Sequence, residues 1–146
     1  MKRVLGRIVL VTLVLLVLIQ LVPYGRSHEN PAVSAEPQWD SPRTRELVKR
    51  VCFDCHSNET VWPWYGETAP FSWVFAHDVN KGRDKLNFSE WGRLSQAERD
   101  RLMAEIWKQV KSGSMPPAMY VFGHQEARVT TDHHQMIRDW CGVPPN

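Results

Sequence analysis

The most apolar stretch of the chain lies near its N-terminus. From Ile8 to Val22, fifteen residues follow one another without a charge. Extended back over residues 4–6, the stretch reaches about the twenty residues that a membrane-spanning helix needs, and Arg7 can direct its charge to the bilayer surface. The pattern predicts a membrane anchor over residues 1–22.

Beyond residue 42, the apolar positions recur at the three- and four-residue spacing of amphipathic helices. Ser41 and Pro42 suit the cap and the first position of a helix, Ser95 opens a capping box, and Thr130 or Thr131 can cap the last helix. No strand signal is stronger, so the predicted fold class is all-α. We expect helices over about 43–54, 71–85, 96–111 and 131–140.

Between these two regions, residues 23–42 carry four prolines and little apolar periodicity. Such a composition is typical of an extended linker. We expect this linker to lift the helical domain, residues 43–146, off the bilayer.

Composition and charge narrow the possible classes of protein. A chain of 146 residues holds one small domain and a tail, and three cysteines close at most one disulfide, which excludes a disulfide scaffold. The formal net charge is +2, but Lys2, Arg3 and Arg7 precede the apolar stretch, and without them 15 basic residues face 16 acidic ones. A near-neutral domain gives no support for a nucleic-acid partner.

The same basic residues set the expected topology, because basic residues before a spanning helix stay in the cytoplasm and the rest of the chain is exported. A small-residue pattern at Val33-Ser34-Ala35 resembles a signal-peptidase site. It lies about thirteen residues past the apolar stretch, farther than such sites usually do. We therefore expect a retained anchor rather than a cleaved signal.

The motif with the clearest chemistry is C-x-x-C-H at residues 52–56. It is the attachment pattern of c-type haem, in which each thiol adds across one vinyl group of the porphyrin and the next histidine binds the iron. The spacing brings both sulfurs to one side of a helical turn. The motif predicts one covalent haem c, held by Cys52 and Cys55, with His56 as the proximal iron ligand.

Two other chemistries use C-x-x-C. A zinc site would need further ligands, which Cys141 with His133 or His134 could supply, but no second C-x-x-C and no tight histidine pair supports it. A thioredoxin-type redox pair would need strands around the motif, whereas the flanking sequence is helical.

A wider set of segments carries a family resemblance. The chain is similar to the small, single-haem "haem-binding domain" family of bacterial envelope proteins, a branch of the cytochrome c-like group. The resemblance covers about residues 20–141 and implies covalent haem c in a mostly helical fold, but no defined reaction. With the export signal, it places the chain in the inner membrane as a single-pass protein with its haem domain in the periplasm. The segments are C-F-D-C-H-S-N-E-T, W-P-W-Y, A-P-F-S-W, G-R-D-K-L-N-F-S-E-W and G-S-M-P-P-A-M-Y.

A c-type iron usually takes a second axial ligand. Met115 is the leading candidate, because its G-S-M-P-P loop after a predicted helix resembles the distal loop of small cytochromes c. His77 and His124 are the alternatives, Met119 is a weaker choice, and an open position is the remaining possibility.

The surroundings of the motif are rich in aromatic residues, which we expect either to wall the haem pocket or to pack the core. Arg83 is expected to pair with a haem propionate or to stay a solvated helix charge. Cys141 is left over, as a buried free thiol or an intermolecular disulfide. Six aromatic residues fall within fourteen positions: Trp62, Trp64, Tyr65, Phe71, Trp73 and Phe75.

These features favour a membrane-tethered periplasmic electron carrier that serves unidentified redox proteins. No Ser-His-Asp constellation, Gly-rich phosphate loop or paired-carboxylate signature points to an enzyme. The alternatives are a haem-based sensor or small-ligand-binding protein, a peroxidase-like haem enzyme, and a zinc module.

The retained anchor predicts that the intact protein stays in the membrane fraction after a high-salt wash and is released only by detergent. Sedimentation followed by mass analysis of the N-terminus checks this. A soluble form that starts near Glu36 would show that the apolar stretch is a cleaved signal.

Overall fold

Six α-helices make up most of the regular structure of residues 1–144, the residues that the computed structural model describes. Over this range the only strand-like pairing is an isolated bridge between Ala35 and Glu90. The all-α prediction is confirmed. The helices are α1 Lys2–Leu18, α2 Pro42–His56, α3 Phe71–Lys85, α4 Gln96–Lys111, α5 Ala118–Gly123 and α6 Thr131–Trp140, with short 3₁₀ turns at Ile19–Leu21, Trp64–Glu67, Trp91–Arg93 and Gln125–Ala127.

The helix starts follow the capping signals in the sequence. Ser41 Oγ accepts a hydrogen bond from the Thr44 backbone N–H at the start of α2, and Ser95 and Glu98 form a reciprocal capping box at the start of α4. Thr130 caps α6. Each cap satisfies backbone donors that the first helical turn leaves free. The expected helices are confirmed to within two residues, whereas the short helix α5 was not predicted.

The hydrophobic core lies between α2, α4 and α6. Phe53 of α2 and Phe88, which follows α3, are fully buried and stack with their ring centroids 5.5 Å apart. Their burial fixes the C-terminal half of α2, where the C-x-x-C-H motif lies. The core residues of the three helices are Leu47, Val48, Val51, Leu102, Ile106, Val110, Ile137 and Trp140.

α1 stands apart from this core. Lys2–Leu21 forms a twenty-residue helical stretch with no buried residues, and its most apolar 18-residue window has a mean hydropathy of 2.6. At 1.5 Å per residue its length is about 30 Å, the thickness of a bilayer's hydrocarbon core. The stretch is long and apolar enough to cross a membrane.

The end of this apolar stretch is hydrogen-bonded to the helical domain. The Gln20 side-chain amide donates to the Ala69 carbonyl at 2.9 Å and accepts from the Ala69 N–H at 3.0 Å. Gly25 has a φ of +81°, and a Cβ at this position would overlap the Ser72 carbonyl of α3. Only glycine fits there, so the chain can pass close to α3 immediately after the apolar stretch.

The expectation that residues 23–42 lift the domain off the bilayer is not met, because this extended segment lies along the domain surface. Asn30 donates to the Thr60 carbonyl at 2.9 Å, and the Ser34 N–H donates to the Ser89 carbonyl at 2.9 Å. These bonds satisfy backbone groups that a solvated linker would leave to water.

The C-terminal part of the segment is held by side chains of α2 and α6. Arg45 donates twice to the Glu36 carboxylate, at 2.6 and 2.8 Å, and this pairing lowers the pKa of Glu36. The Trp39 indole also donates to Glu36, and the Trp140 indole donates to the Gln38 carbonyl. The segment is therefore part of the folded domain.

Candidate haem-binding site

The C-x-x-C-H motif occupies the last residues of α2. Cys52 and Cys55 are three residues apart and therefore lie on one side of the helix. Both thiols are free and partly exposed, and His56 is the last residue of the helix.

The His56 ring is held by two backbone carbonyls from the end of α3. Its Nδ1 lies 3.0 Å from the Gly82 oxygen and 3.1 Å from the Leu86 oxygen. Both partners are acceptors, so Nδ1 carries the proton and Nε2 keeps a lone pair free for a metal. Burial lowers the pKa of His56, which favours the neutral ring that iron ligation needs. The donor geometry therefore fits a haem iron ligand.

Gly82 allows α3 to come this close to the motif. A Cβ at Gly82 would overlap the Cys55 carbonyl and also crowd the Cys55 side chain. A hydrogen at this position lets the α3 backbone cross the end of α2 and present its carbonyl to His56.

Arg83 is not a solvated charge, because its guanidinium is hydrogen-bonded to four groups of the chain. Its guanidinium donates to the Ser57 carbonyl at 2.8 Å, to the Glu29 carbonyl at 3.0 Å and to the Asn30 side chain at 3.0 Å. A further bond reaches the Thr60 hydroxyl. The interpretation as a solvated helix charge is therefore wrong, since the residue joins the loop after the motif to the extended segment.

Burial keeps the motif thiols protonated in the folded chain. It raises the pKa of Cys52 to about 12, with smaller contributions from Cys55 and Cys141, and it also raises the pKa of Cys55 to about 12. Since the thiolate is the reactive form of cysteine, both sulfurs are poorly reactive once the domain has folded.

Asp54, between the two cysteines, organises a polar cluster that sequence reasoning missed. Its carboxylate accepts from the Val61 N–H at 2.9 Å and from the Tyr120 hydroxyl at 2.5 Å. Burial, and then the bond to Asp54, raise the pKa of Tyr120. Tyr120 stacks on His124 with ring centroids 4.2 Å apart. The cluster links α5 to the motif by a hydrogen bond between residues 66 positions apart, and no local sequence pattern reveals such a contact.

The three candidates for a second iron ligand lie in different settings. Met115 is in the turn after α4 and is 37% exposed. His77 is exposed on α3 and lines a shallow surface depression. Both ring nitrogens of His124 have partners, since Nδ1 lies 3.2 Å from the Tyr120 carbonyl oxygen and Nε2 lies 3.5 Å from the Tyr65 hydroxyl.

The aromatic residues after the motif divide between the interior and the surface. Phe75 is buried and meets Trp62 and Tyr65 edge-on. Phe71 is 60% exposed and Trp64 is 84% exposed. Phe71 and Trp64 therefore lie outside the buried core.

The zinc alternative lacks a ligand set. Across the described residues, no three or more His, Cys, Asp or Glu side chains form a group that could hold a metal ion. His133 accepts a bond from the Thr130 N–H, and the two nitrogens of His134 lie within 3.3 Å of the Thr130 and Val110 carbonyl oxygens. Cys141 is a partly buried free thiol, and burial raises its pKa to about 12.

An all-helical domain with a C-x-x-C-H motif at a helix end, and a histidine oriented through Nδ1, defines a haem-binding protein. The model of the haem-binding domain family matches residues 14–142, and the chain belongs to this family. No curated protein and no solved structure matches the chain significantly.

Because α3 lies so close to α2 at Gly82, a single methyl group added at this position should destabilise the domain. Gly82→Ala should lower the free energy of unfolding by about 1–3 kcal/mol, because the added Cβ forces α3 away from the end of α2. The matched control is Gly123→Ala, whose Cβ would meet no atom within 4 Å. Urea unfolding of both variants measures the difference, and equal midpoints would refute the proposed packing constraint.

Proposed function

We propose that the chain is a membrane-tethered periplasmic electron carrier with one haem c bound covalently through Cys52 and Cys55. The observation that carries the proposal is the orientation of the His56 ring, which directly follows the two-cysteine motif. Its Nδ1 is hydrogen-bonded to two backbone carbonyls. When bound, the haem supplies a one-electron ferric–ferrous couple.

In this proposal the residues of the motif have separate tasks. Cys52 and Cys55 hold the group by thioether bonds, so it is not lost outside the cytoplasm. The carbonyls of Gly82 and Leu86 fix the orientation of the His56 ring and make Nε2 a better donor to iron.

Met115 is the proposed second axial ligand. His77 is exposed on α3, and both nitrogens of His124 are already engaged. The Met115 turn is fixed by its own backbone, since its N–H donates to the Gln109 carbonyl at 3.2 Å. A thioether ligand would raise the reduction potential relative to a second histidine.

Tethering to the inner membrane is supported by α1 and by the basic residues before its apolar stretch. Lys2, Arg3 and Arg7 favour a cytoplasmic N-terminus, and the haem domain then lies in the periplasm. The double hydrogen bond between Gln20 and Ala69 keeps the domain beside the point where the anchor ends.

A haem-based sensor or ligand-binding protein is the alternative function. Partial exposure of Met115, at 37%, favours this alternative if the sulfur leaves the iron readily. Carbon monoxide separates the two functions, because it binds ferrous haem only where an axial position is open.

The carrier proposal predicts that the reduced, haem-loaded wild type binds little carbon monoxide, whereas Met115→Ala binds it stoichiometrically. The oxidised variant should also lose the far-red sulfur-to-iron charge-transfer band. Met119→Ala is the matched control, since Met119 lies four residues later, is 82% exposed and should change neither spectrum.

The contrary results are equally specific. Rapid stoichiometric binding of carbon monoxide by the wild type would favour the sensor. Persistence of the charge-transfer band in Met115→Ala would remove Met115 from the iron.

A further inference from the structure

An exposed apolar surface surrounds the start of α3. Phe71 is 60% exposed and Val74 is 61% exposed, while Trp64 and Tyr24 are exposed by 84% and 49%. We call these four residues the α3 patch. Tyr65 connects two of them. Its ring packs edge-on against Trp64 and Phe71, with distances between ring centroids of 5.9 and 6.4 Å.

The exposed face of α3 changes character along the helix. Its first two turns expose Phe71 and Val74, and its last turns expose charged residues instead. A helix that faces water along its whole length would carry polar residues throughout. The apolar part, from Phe71 to His77, is about 9 Å long. The charged exposed residues are Asp78, Lys81, Asp84 and Lys85.

The α3 patch lies where the apolar stretch ends. Gln20, at the end of that stretch, holds Ala69 by two hydrogen bonds, and Ala69 is two residues before Phe71. Val22 and Tyr24 line a surface depression together with Val74, with a volume of about 550 Å³. The exposed apolar surface is thus continuous with the anchor.

Two charged residues near the α3 patch, Glu67 and Arg26, have polar partners within the chain. The Glu67 carboxylate lies 3.2 Å from Nδ1 of His28. Arg26, which follows the apolar stretch, donates to the Gln20 carbonyl at 2.9 Å and to the Gln20 side chain at 3.0 Å. Internal pairing of this kind lowers the cost of bringing charges close to hydrocarbon.

We propose that the α3 patch lies in the interfacial layer of the bilayer from which α1 emerges. This rests on the membrane tether of the proposed function. Trp and Tyr are enriched at the membrane–water interface, and the α3 patch exposes one of each, Trp64 and Tyr24.

Docking of the α3 patch orients the domain. The charged end of α3, which contacts the motif through Gly82, then points away from the bilayer.

The test uses the full-length, haem-loaded protein in lipid nanodiscs, with Cys141→Ser to remove the free thiol. A nitroxide is attached at Val74→Cys, and in separate samples at Leu13→Cys of α1 and at Ala97→Cys. Ala97 is exposed at the start of α4, seven residues after Glu90, which bridges to Ala35 of the extended segment. Collision rates with oxygen and with a water-soluble nickel chelate report the environment of each label.

We expect the oxygen-to-nickel ratio at Val74 to approach that at Leu13 and to exceed that at Ala97 by about threefold or more. Adding Phe71→Glu should bring the Val74 ratio down to the Ala97 level. Lys85→Glu, at the opposite end of α3, is the matched control and should leave the ratio unchanged. An unaltered haem spectrum verifies that each variant is folded.

Two results would overturn the proposal in distinguishable ways. If Leu13 is lipid-exposed but Val74 is as aqueous as Ala97, the tether stands and the docking is wrong. If the label at Leu13 is also exposed to water, both the membrane tether and the docking are wrong. The comparison of the three labels needs no substitution of a patch residue other than Val74, so it remains decisive if Phe71→Glu fails to fold.

Discussion

Two backbone carbonyls at the end of α3 hold the His56 imidazole through Nδ1, and the proposed haem site depends on this contact. A histidine at a helix end would otherwise sample several rotamers and both tautomers. The contact needs α3 to lie almost against α2, which Gly82 permits. The most specific structural requirement of the site is therefore met by a residue without a side chain.

The position of α3 is secured by contacts that reach the N-terminal apolar stretch. Arg83 binds the loop after the motif at Ser57 and the extended segment at Glu29. Gln20 binds the turn before α3 at Ala69. The apolar stretch, the extended segment and the motif are consequently joined through one helix, so the orientation of the apolar stretch and that of the proposed haem site are coupled.

Local signals in the sequence were sufficient for the helices. Capping residues such as Ser95 and Thr130 bond to backbone N–H groups within the first turn of their own helix. The structure confirms that α4 and α6 begin at these caps. The motif was recognisable because thioether attachment fixes the spacing of Cys52 and Cys55 with the histidine that follows. The family match over residues 14–142 supports haem binding.

The remaining features depend on contacts between distant parts of the chain. Proline content made residues 23–42 resemble a spacer, yet the segment is bonded along the domain surface. Arg83 looked like a free helix charge, because its partners lie 23 to 54 residues away. The bond between Asp54 and Tyr120 spans 66 residues. No periodicity or capping rule encodes such pairs.

The central claim is that haem is bonded covalently to Cys52 and Cys55. The most direct measurement is the pyridine haemochrome spectrum of the denatured protein, before and after extraction with acidified acetone. The account predicts that all of the haem stays with the polypeptide and shows the absorbance of a porphyrin whose two vinyl groups are saturated. Haem that is extracted completely, leaving unmodified thiols on the chain, would contradict it.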